Sequence, residues 1–281
     1  MKHFERPVLQ QYASRLESSL RETNDEPRLL KVLTLNIAHG RQIAAHQLFL
    51  PKSKIERNLL AIVDTLRREA PDICALQEVD RRSAWNGSFD HLDYLACRAG
   101  YACGVLSSHV RRMKLSYGTA LLSSVELRNP LSCTLRSARV LPAKGFTIAE
   151  CCWPGDERFV FDVVSLHLDF AQPRIRFRQV DVLIETVRER KRPVVMMGDF
   201  NATWDDSRSA VRRAAEELDL IAFEPRLAEP ATFRYRPKRW DWILISGEMR
   251  FSNHEVLRDT LSDHYAVLAE ISLICPPECA T

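Results

Sequence analysis

From residue 31 onward the chain reads as short apolar runs, and many of them stop at a polar residue. Residues 31–37, KVLTLNI, alternate apolar and polar side chains and predict a strand. Residues 53–68 carry Ile55, Leu59, Ile62, Val63 and Leu66 at helical spacing, with Ser53 and Glu56 placed as a capping box. A short apolar strand follows at 73–76, then a helix over 90–99 that ends at Gly100. Strands are predicted at 119–122, 146–151, 159–168 and 194–197, with helices at 174–190 and 207–218. The pattern closes on strands at 242–246, 250–256 and 265–273. Before it lies a polar stretch in which 13–21 predicts a short helix, broken by Asn24, Asp25, Glu26 and Pro27.

Many strands with separated helices predict a layered α/β or α+β domain. Not every pair of strands has a helix between them, which excludes a purely parallel sheet. We divide the chain into an N-terminal extension (1–28), one domain (29–274) and a loose tail (275–281). The length of 281 residues suits one large domain or two small ones.

Composition narrows the class. Hydrophobic residues make up 46% and charged residues 27%, which excludes collagen-like and disordered chains. No apolar run approaches the roughly 18 residues of a membrane helix. Residues 1–30 have no apolar core of a secretory signal. A net charge of +3 is too balanced for a protein that coats DNA nonspecifically. The eight cysteines form no CxxC pair and read as small core residues in a reducing, cytoplasmic setting. Dinucleotide, P-loop, zincin and serine-hydrolase motifs are absent.

The candidate chemistry sits where strands stop. VLTL runs into Asn36, CAL into Gln77 and Glu78, VVSL into His167 and then Asp169, and VVMM into Gly198, Asp199, Phe200 and Asn201. Asp241 opens the strand WILIS, and Ser262, Asp263 and His264 open YAVLAEI. Each residue alone has a plain reading as a turn, cap or surface residue. Together they are uniformly acidic, amide or imidazole, and a rigid sheet holds them at the solvent edge. If the ends meet, Glu78, Asp199, Asp241 and Asp263 form an oxygen-rich cluster that a hard cation such as Mg²⁺ or Mn²⁺ would neutralise. His39, His46, His91, His109 and His254 keep a structural reading.

The blocks LTLNI, LQEVD, YGTALLS, SLHLD, MGDFNA, RWDWILIS and LSDHYAV, in this order, resemble the endonuclease/exonuclease/phosphatase superfamily of DNase I-like enzymes. The resemblance covers about 28–273. It implies a four-layer αββα sandwich of two stacked mixed sheets. It also implies a divalent-metal-dependent phosphoesterase that attacks its substrate in line with an activated water. By the same resemblance Glu78 is the main metal ligand, with Asn36 close by and Asp263 binding or supporting the metal. Asp199 orients or deprotonates the water, Asn201 and His167 contact the phosphate, and His264, oriented by Asp241, stabilises its developing charge. Tyr117 lies where some members place a substrate-contacting tyrosine. The family form RIDYI is RWDWI here, and Tyr265-Ala266 follows SDH; neither change removes a catalytic group.

The substrate is a phosphate ester: nucleic acid, a lipid head group or a small phosphoester. A DNA repair nuclease is the alternative enzyme, and a catalytically silent phosphate- or partner-binding module is the alternative of another class. Four features bear on the choice, two loops that could meet the substrate and two basic sets that could grip extra phosphates. The loop 41–54 has an apolar tip at 47–50, the loop 85–89 carries Trp85 and Phe89, and Arg226, Arg234, Arg236, Lys238 and Arg239 lead into Asp241. Arg174, Arg176 and Arg178 follow the HLD block. Local packing or a solvated face accounts equally for each.

Overall fold

A computed structural model describes residues 2–12, 28–46, 50–137, 141–227 and 230–274. The helix expected at 13–21, most of the apolar tip at 47–50 and the tail 275–281 lie outside the described residues. The chain opens with β1 (Lys2–Glu5), β2 (Leu9–Gln11), β3 (Leu30–Asn36), α1 (Lys52–Glu69), β4 (Ile73–Asp80) and α2 (His91–Ala99). It continues through β5 (Cys103–Arg112), β6 (Leu115–Ser123), β7 (Leu127–Leu135), β8 (Lys144–Trp153), β9 (Asp156–His167) and α3 (Pro173–Arg190). It closes with β10 (Val194–Asp199), α4 (Ala210–Leu218), β11 (Leu220–Ala222), β12 (Asp241–Ser246), β13 (Met249–Leu257) and β14 (Ala266–Leu273).

The strands form two mixed seven-stranded sheets, ordered β1-β7-β8-β9-β10-β12-β11 and β13-β14-β3-β4-β6-β5-β2. Strand periodicity sorts the side chains into layers. On β3, Val32 enters the core between the sheets while Leu33 and Leu35 enter the core under α1. On β10, Val195 and Met197 face the inner core, and Val194 and Met196 face α3 and α4. Both faces are covered, so these strands read as almost continuous apolar runs. Ile55, Leu59 and Ile62 of α1 pack with Leu92 and Leu95 of α2 on one outer face. Val180, Leu183 and Val187 of α3 pack with Val211 of α4 on the other. The result is the expected αββα sandwich. Removing one such side chain, as in Leu59→Ala, would cost about 2–5 kcal/mol.

Each sheet contains one parallel pair that needs a crossover helix: β3 with β4 through α1, and β9 with β10 through α3. A parallel pair brings two carboxyl-terminal strand ends to one edge, and here the two edges meet. Asn36 at the end of β3 donates to Asp199 at the end of β10 across 3.2 Å.

Several local expectations need correction. The helix α1 begins at Lys52 with Pro51 as its cap, so Ser53 lies inside the helix and makes no capping hydrogen bond. The helix α4 starts at Ala210, not 207, because Ser209 caps it by accepting from Arg212 N–H. Part of the stretch read as an extension belongs to the sheets: β1 pairs with β7 and β2 with β5, one edge strand for each sheet. Strands β5, β7 and β11 had no predicted counterpart.

Candidate active site

Local backbone geometry aims the strand-end side chains. Glu78 is the extra residue of a β-bulge against β6, in the left-handed region at φ 55°, and the bulge turns its carboxylate out of the strand alternation. Asp199 stands opposite His167 in the β9–β10 register. The preceding Gly198 permits this, because a Cβ there would lie 2.1 Å from the Leu166 carbonyl oxygen. Asn201 is also left-handed, at φ 50°, a conformation asparagine tolerates. Its N–H donates to Asp199 Oδ1 at 2.9 Å and its Nδ2 to the Leu168 carbonyl at 3.0 Å.

Asp199, only 1% exposed, is the hub of one half of the site. Its Oδ2 accepts from Asn36 and lies 3.3 Å from His167 Nε2 and 3.8 Å from His264 Nε2. Behind it, His264 Nδ1 donates to Asp241 Oδ2 at 2.8 Å. Burial, with Asp241 nearby, raises the Asp199 carboxyl well above the usual range against the opposing charge of His264. Burial favours a neutral His264, but Asp241 and Asp199 outweigh it and push its pKa up to about 10. His264 is therefore a buried imidazolium locked in one orientation. Burial, together with Lys144, holds His167 neutral.

Glu78 anchors the other half. Lys144 Nζ lies 3.5 Å from its Oε1, and His39 Nε2 lies 3.5 Å from its Oε2. Lys144 also reaches His167 Nε2 at 3.0 Å. Burial disfavours the charged form of Glu78, but His39 and Lys144 outweigh it and hold the carboxyl below its usual range. His39 Nδ1 donates to buried Asp80 at 2.6 Å, and Trp85 Nε1 donates to the other Asp80 oxygen at 2.9 Å. Tyr117 packs edge-on against His39 with ring centroids 4.7 Å apart, and burial raises its hydroxyl to about 12.

The donor chemistry separates two places for a metal. Asp199, Asp241 and His264 bring ligand atoms within 4.8 Å of one another. That cluster already contains its cation, and the His264 Nδ1 lone pair is spent on a proton shared with Asp241. Glu78 is different. It is ionised, and among the described residues no donor approaches its carboxylate closer than 3.5 Å. Glu78 could hold a divalent ion there, and Asn36, whose side-chain oxygen accepts from Ala38 N–H, is a candidate second ligand.

The structure thus brings together Asn36, Glu78, His167, Asp199, Asn201, Asp241 and His264, with Tyr117 on the Glu78 flank. Asp263 accepts from Arg41 and from Ser262 Oγ. Sequence reasoning passed over Lys144 and Asp80, and it gave His39 a structural reading. For His39 and Asp80 the signal was adjacency to other site residues, His39 three residues after Asn36 and Asp80 two after Glu78; Lys144 had none. Two arginines offered as phosphate grips are structural. Arg239 is 2% exposed, stacks on Trp242 and donates to the Phe223 carbonyl. Arg176 is buried and donates to the Asp169 carbonyl. The Trp242 change from the family form is explained by its Nε1, which donates to the carbonyls of Ala202 and Arg239 and ties down the loop after Asp199.

The sequence profile described as "Endonuclease/Exonuclease/phosphatase family" matches residues 33–264, which hold every strand-end residue above. The chain belongs to this family. Members of the endonuclease/exonuclease/phosphatase family hydrolyse phosphate esters, generally with a divalent metal ion. No curated protein sequence matches the chain. Solved structures show the same fold. An endonuclease/exonuclease/phosphatase protein from Beutenbergia cavernae superposes with a TM-score of 0.68 at 21% identity, over 88% of this chain and 72% of that one. The human Nocturnin catalytic domain, with bound sulfate, gives 0.66 at 21% identity, over 88% and 95%. A mannosyl-6-phosphatase from Bacteroides thetaiotaomicron gives 0.66 at 16% identity, over 87% and 100%.

Proposed function

We propose that this chain is a divalent-metal-dependent phosphoesterase that hydrolyses a phosphodiester or phosphomonoester by in-line attack of water. The observation that carries the proposal is Asp199: a buried carboxylate of raised basicity, held by Asn36, flanked by His264 and facing Glu78 across His167. A base poised near the working pH is what removing a proton from water requires.

In this reading Asp199 holds the attacking water and takes its proton. His264, kept cationic by Asp241, donates to a phosphoryl oxygen as negative charge develops. Asn201 and neutral His167 fix the remaining oxygens, and Tyr117 borders the substrate. Glu78 and Asn36 would hold Mg²⁺ or Mn²⁺, which supplies charge neutralisation at the phosphoryl group. Asp263, which accepts from Arg41 and Ser262, would bind or support the metal from the His264 turn. Among the described residues no helix is long and apolar enough to cross a membrane. The described cysteines are free thiols, which suits a reducing, cytoplasmic setting.

The test is hydrolysis of one panel with Mg²⁺ or Mn²⁺ and EDTA controls. It contains bis(p-nitrophenyl) phosphate, p-nitrophenyl phosphate, an abasic duplex, single-stranded DNA, sphingomyelin and an inositol polyphosphate. EDTA-sensitive turnover is expected, and the best substrate selects between a nuclease and a lipid or small-molecule phosphoesterase. Bound metal with no turnover on any member would favour the silent binding module.

A further inference from the structure

His39 has a place that the mechanism above does not use. The turn Ala38–Gly40 leaves β3 with Ala38 and His39 both in the left-handed region, at φ 46° and 56°. Such a backbone costs roughly 1–2 kcal/mol per residue and persists where surrounding contacts enforce it. Those contacts are present: Ala38 N–H donates to Asn36 Oδ1, and Asn58 Nδ2 donates to the Gly40 carbonyl. The turn folds His39 back over the end of β4. Its ring is then fixed on three sides, by Trp85 with centroids 5.2 Å apart, by Tyr117 at 4.7 Å, and by the 2.6 Å hydrogen bond from Nδ1 to Asp80. Asp80 is fully buried, and its second oxygen is held by Trp85 Nε1. With Nδ1 committed to Asp80, Nε2 is the other ring nitrogen; it faces Glu78 Oε2 across 3.5 Å and would release its proton when an ion binds.

Histidines that bind metals show this arrangement: one ring nitrogen donates to a carboxylate and the other faces the ion. The spacing also agrees. Two ligands each about 2.1 Å from one ion sit about 3.0 Å apart at a right angle and about 3.4 Å apart at a tetrahedral angle. We propose that His39 Nε2 is a ligand to the same ion that Glu78 holds, with Asp80 and Trp85 positioning the ring. Building on the function proposed above, it makes the site a mixed nitrogen and oxygen site. Imidazole nitrogen favours transition ions, whereas Mg²⁺ prefers oxygen alone. The site therefore selects a divalent transition ion over Mg²⁺.

Mn²⁺ is the probe, because its electron-spin-echo envelope modulation reports directly bound nitrogen. Wild-type protein loaded with Mn²⁺ is expected to show ¹⁴N modulation that switches to the ¹⁵N pattern after [¹⁵N]histidine labelling. In His39→Gln the modulation is lost, and Mn²⁺ affinity falls at least tenfold while Mg²⁺ affinity changes less. Asp80→Asn keeps the imidazole, retains the modulation and weakens Mn²⁺ binding about 10–100-fold. Thermal denaturation of each variant without metal checks the fold, and the labelling experiment needs no variant. Wild-type protein that binds Mn²⁺ and hydrolyses phosphate esters, yet shows no nitrogen coupling, overturns the His39 assignment and leaves the proposed function standing. Modulation that survives in folded His39→Gln also overturns it. Wild-type protein that binds Mg²⁺ but no Mn²⁺ overturns the His39 assignment, and protein that binds neither overturns both.

Discussion

Glu78 and Asp199 are both carboxylates at the ends of central strands, and the His167 ring lies 4.0 Å from one and 3.3 Å from the other. Their surroundings push them in opposite directions. Glu78 has His39 and Lys144 beside it, and their charges favour its ionised form despite its desolvation. Asp199 is more deeply buried and has a second carboxylate, Asp241, nearby; both raise its affinity for a proton. A permanently charged carboxylate suits a cation, and a carboxylate of raised basicity suits proton transfer. Environment alone divides the two roles, as it does wherever paired titratable groups are driven apart.

The comparison can be broken from either side. On the Glu78 side, chelation with EDTA is expected to abolish hydrolysis, with activity restored by Mn²⁺; persistence of full activity would remove the cation from the account. On the Asp199 side, Asp199→Asn keeps the shape and removes the base. Its kcat is expected to fall about 10²–10⁴-fold at saturating metal, with metal affinity nearly unchanged. Asp241→Asn sharpens the same half. Its loss should appear in kcat more than in KM, about 10²-fold or more, because His264 loses the partner that keeps it oriented and charged.

Stability should respond to acid through different histidines. Burial depresses His109 to about 3 and His91 to about 4, both below the ordinary value near 6.5. A depressed histidine takes up its proton in the unfolded chain first. The stability it contributes is complete above about pH 6.5 and is lost as pH falls toward its folded value, at about 1.4 kcal/mol per pH unit for each group. Urea melts between pH 7 and 4 measure the slope, and His109→Gln should flatten it. The smallest expected effect is Gly198→Ala. Its methyl would meet the Leu166 carbonyl and force β9 and β10 apart beside Asp199, costing about 1–3 kcal/mol.

The sequence made the Asp199 half more legible than the Glu78 half, for a physical reason. Asp199, Asn201, Asp241 and His264 end or begin strands buried on both faces, so each polar residue stands out against an apolar run. Lys144, by contrast, opens β8, and only the sheet register brings it beside His167. His39 and Asp80 become partners because a left-handed turn and a bulge bend two chain segments toward each other. No spacing rule announces that. The missed strands share the difficulty. In β5 the buried positions include Ser107, Ser108 and His109, and His109 bonds Thr119 and Thr134 between the sheets, so the apolar alternation disappears. In β7 a bulge at Asn129 and Pro130 interrupts the register.

The division between the two carboxylates can be observed directly. Carboxyl ¹³C NMR of metal-free protein, assigned with Glu78→Gln and Asp199→Asn, follows both groups through a pH titration. The account predicts that Glu78 stays ionised to pH values below the usual glutamate range while Asp199 takes up its proton well above the usual aspartate range. Titration of both groups together at ordinary values would contradict it.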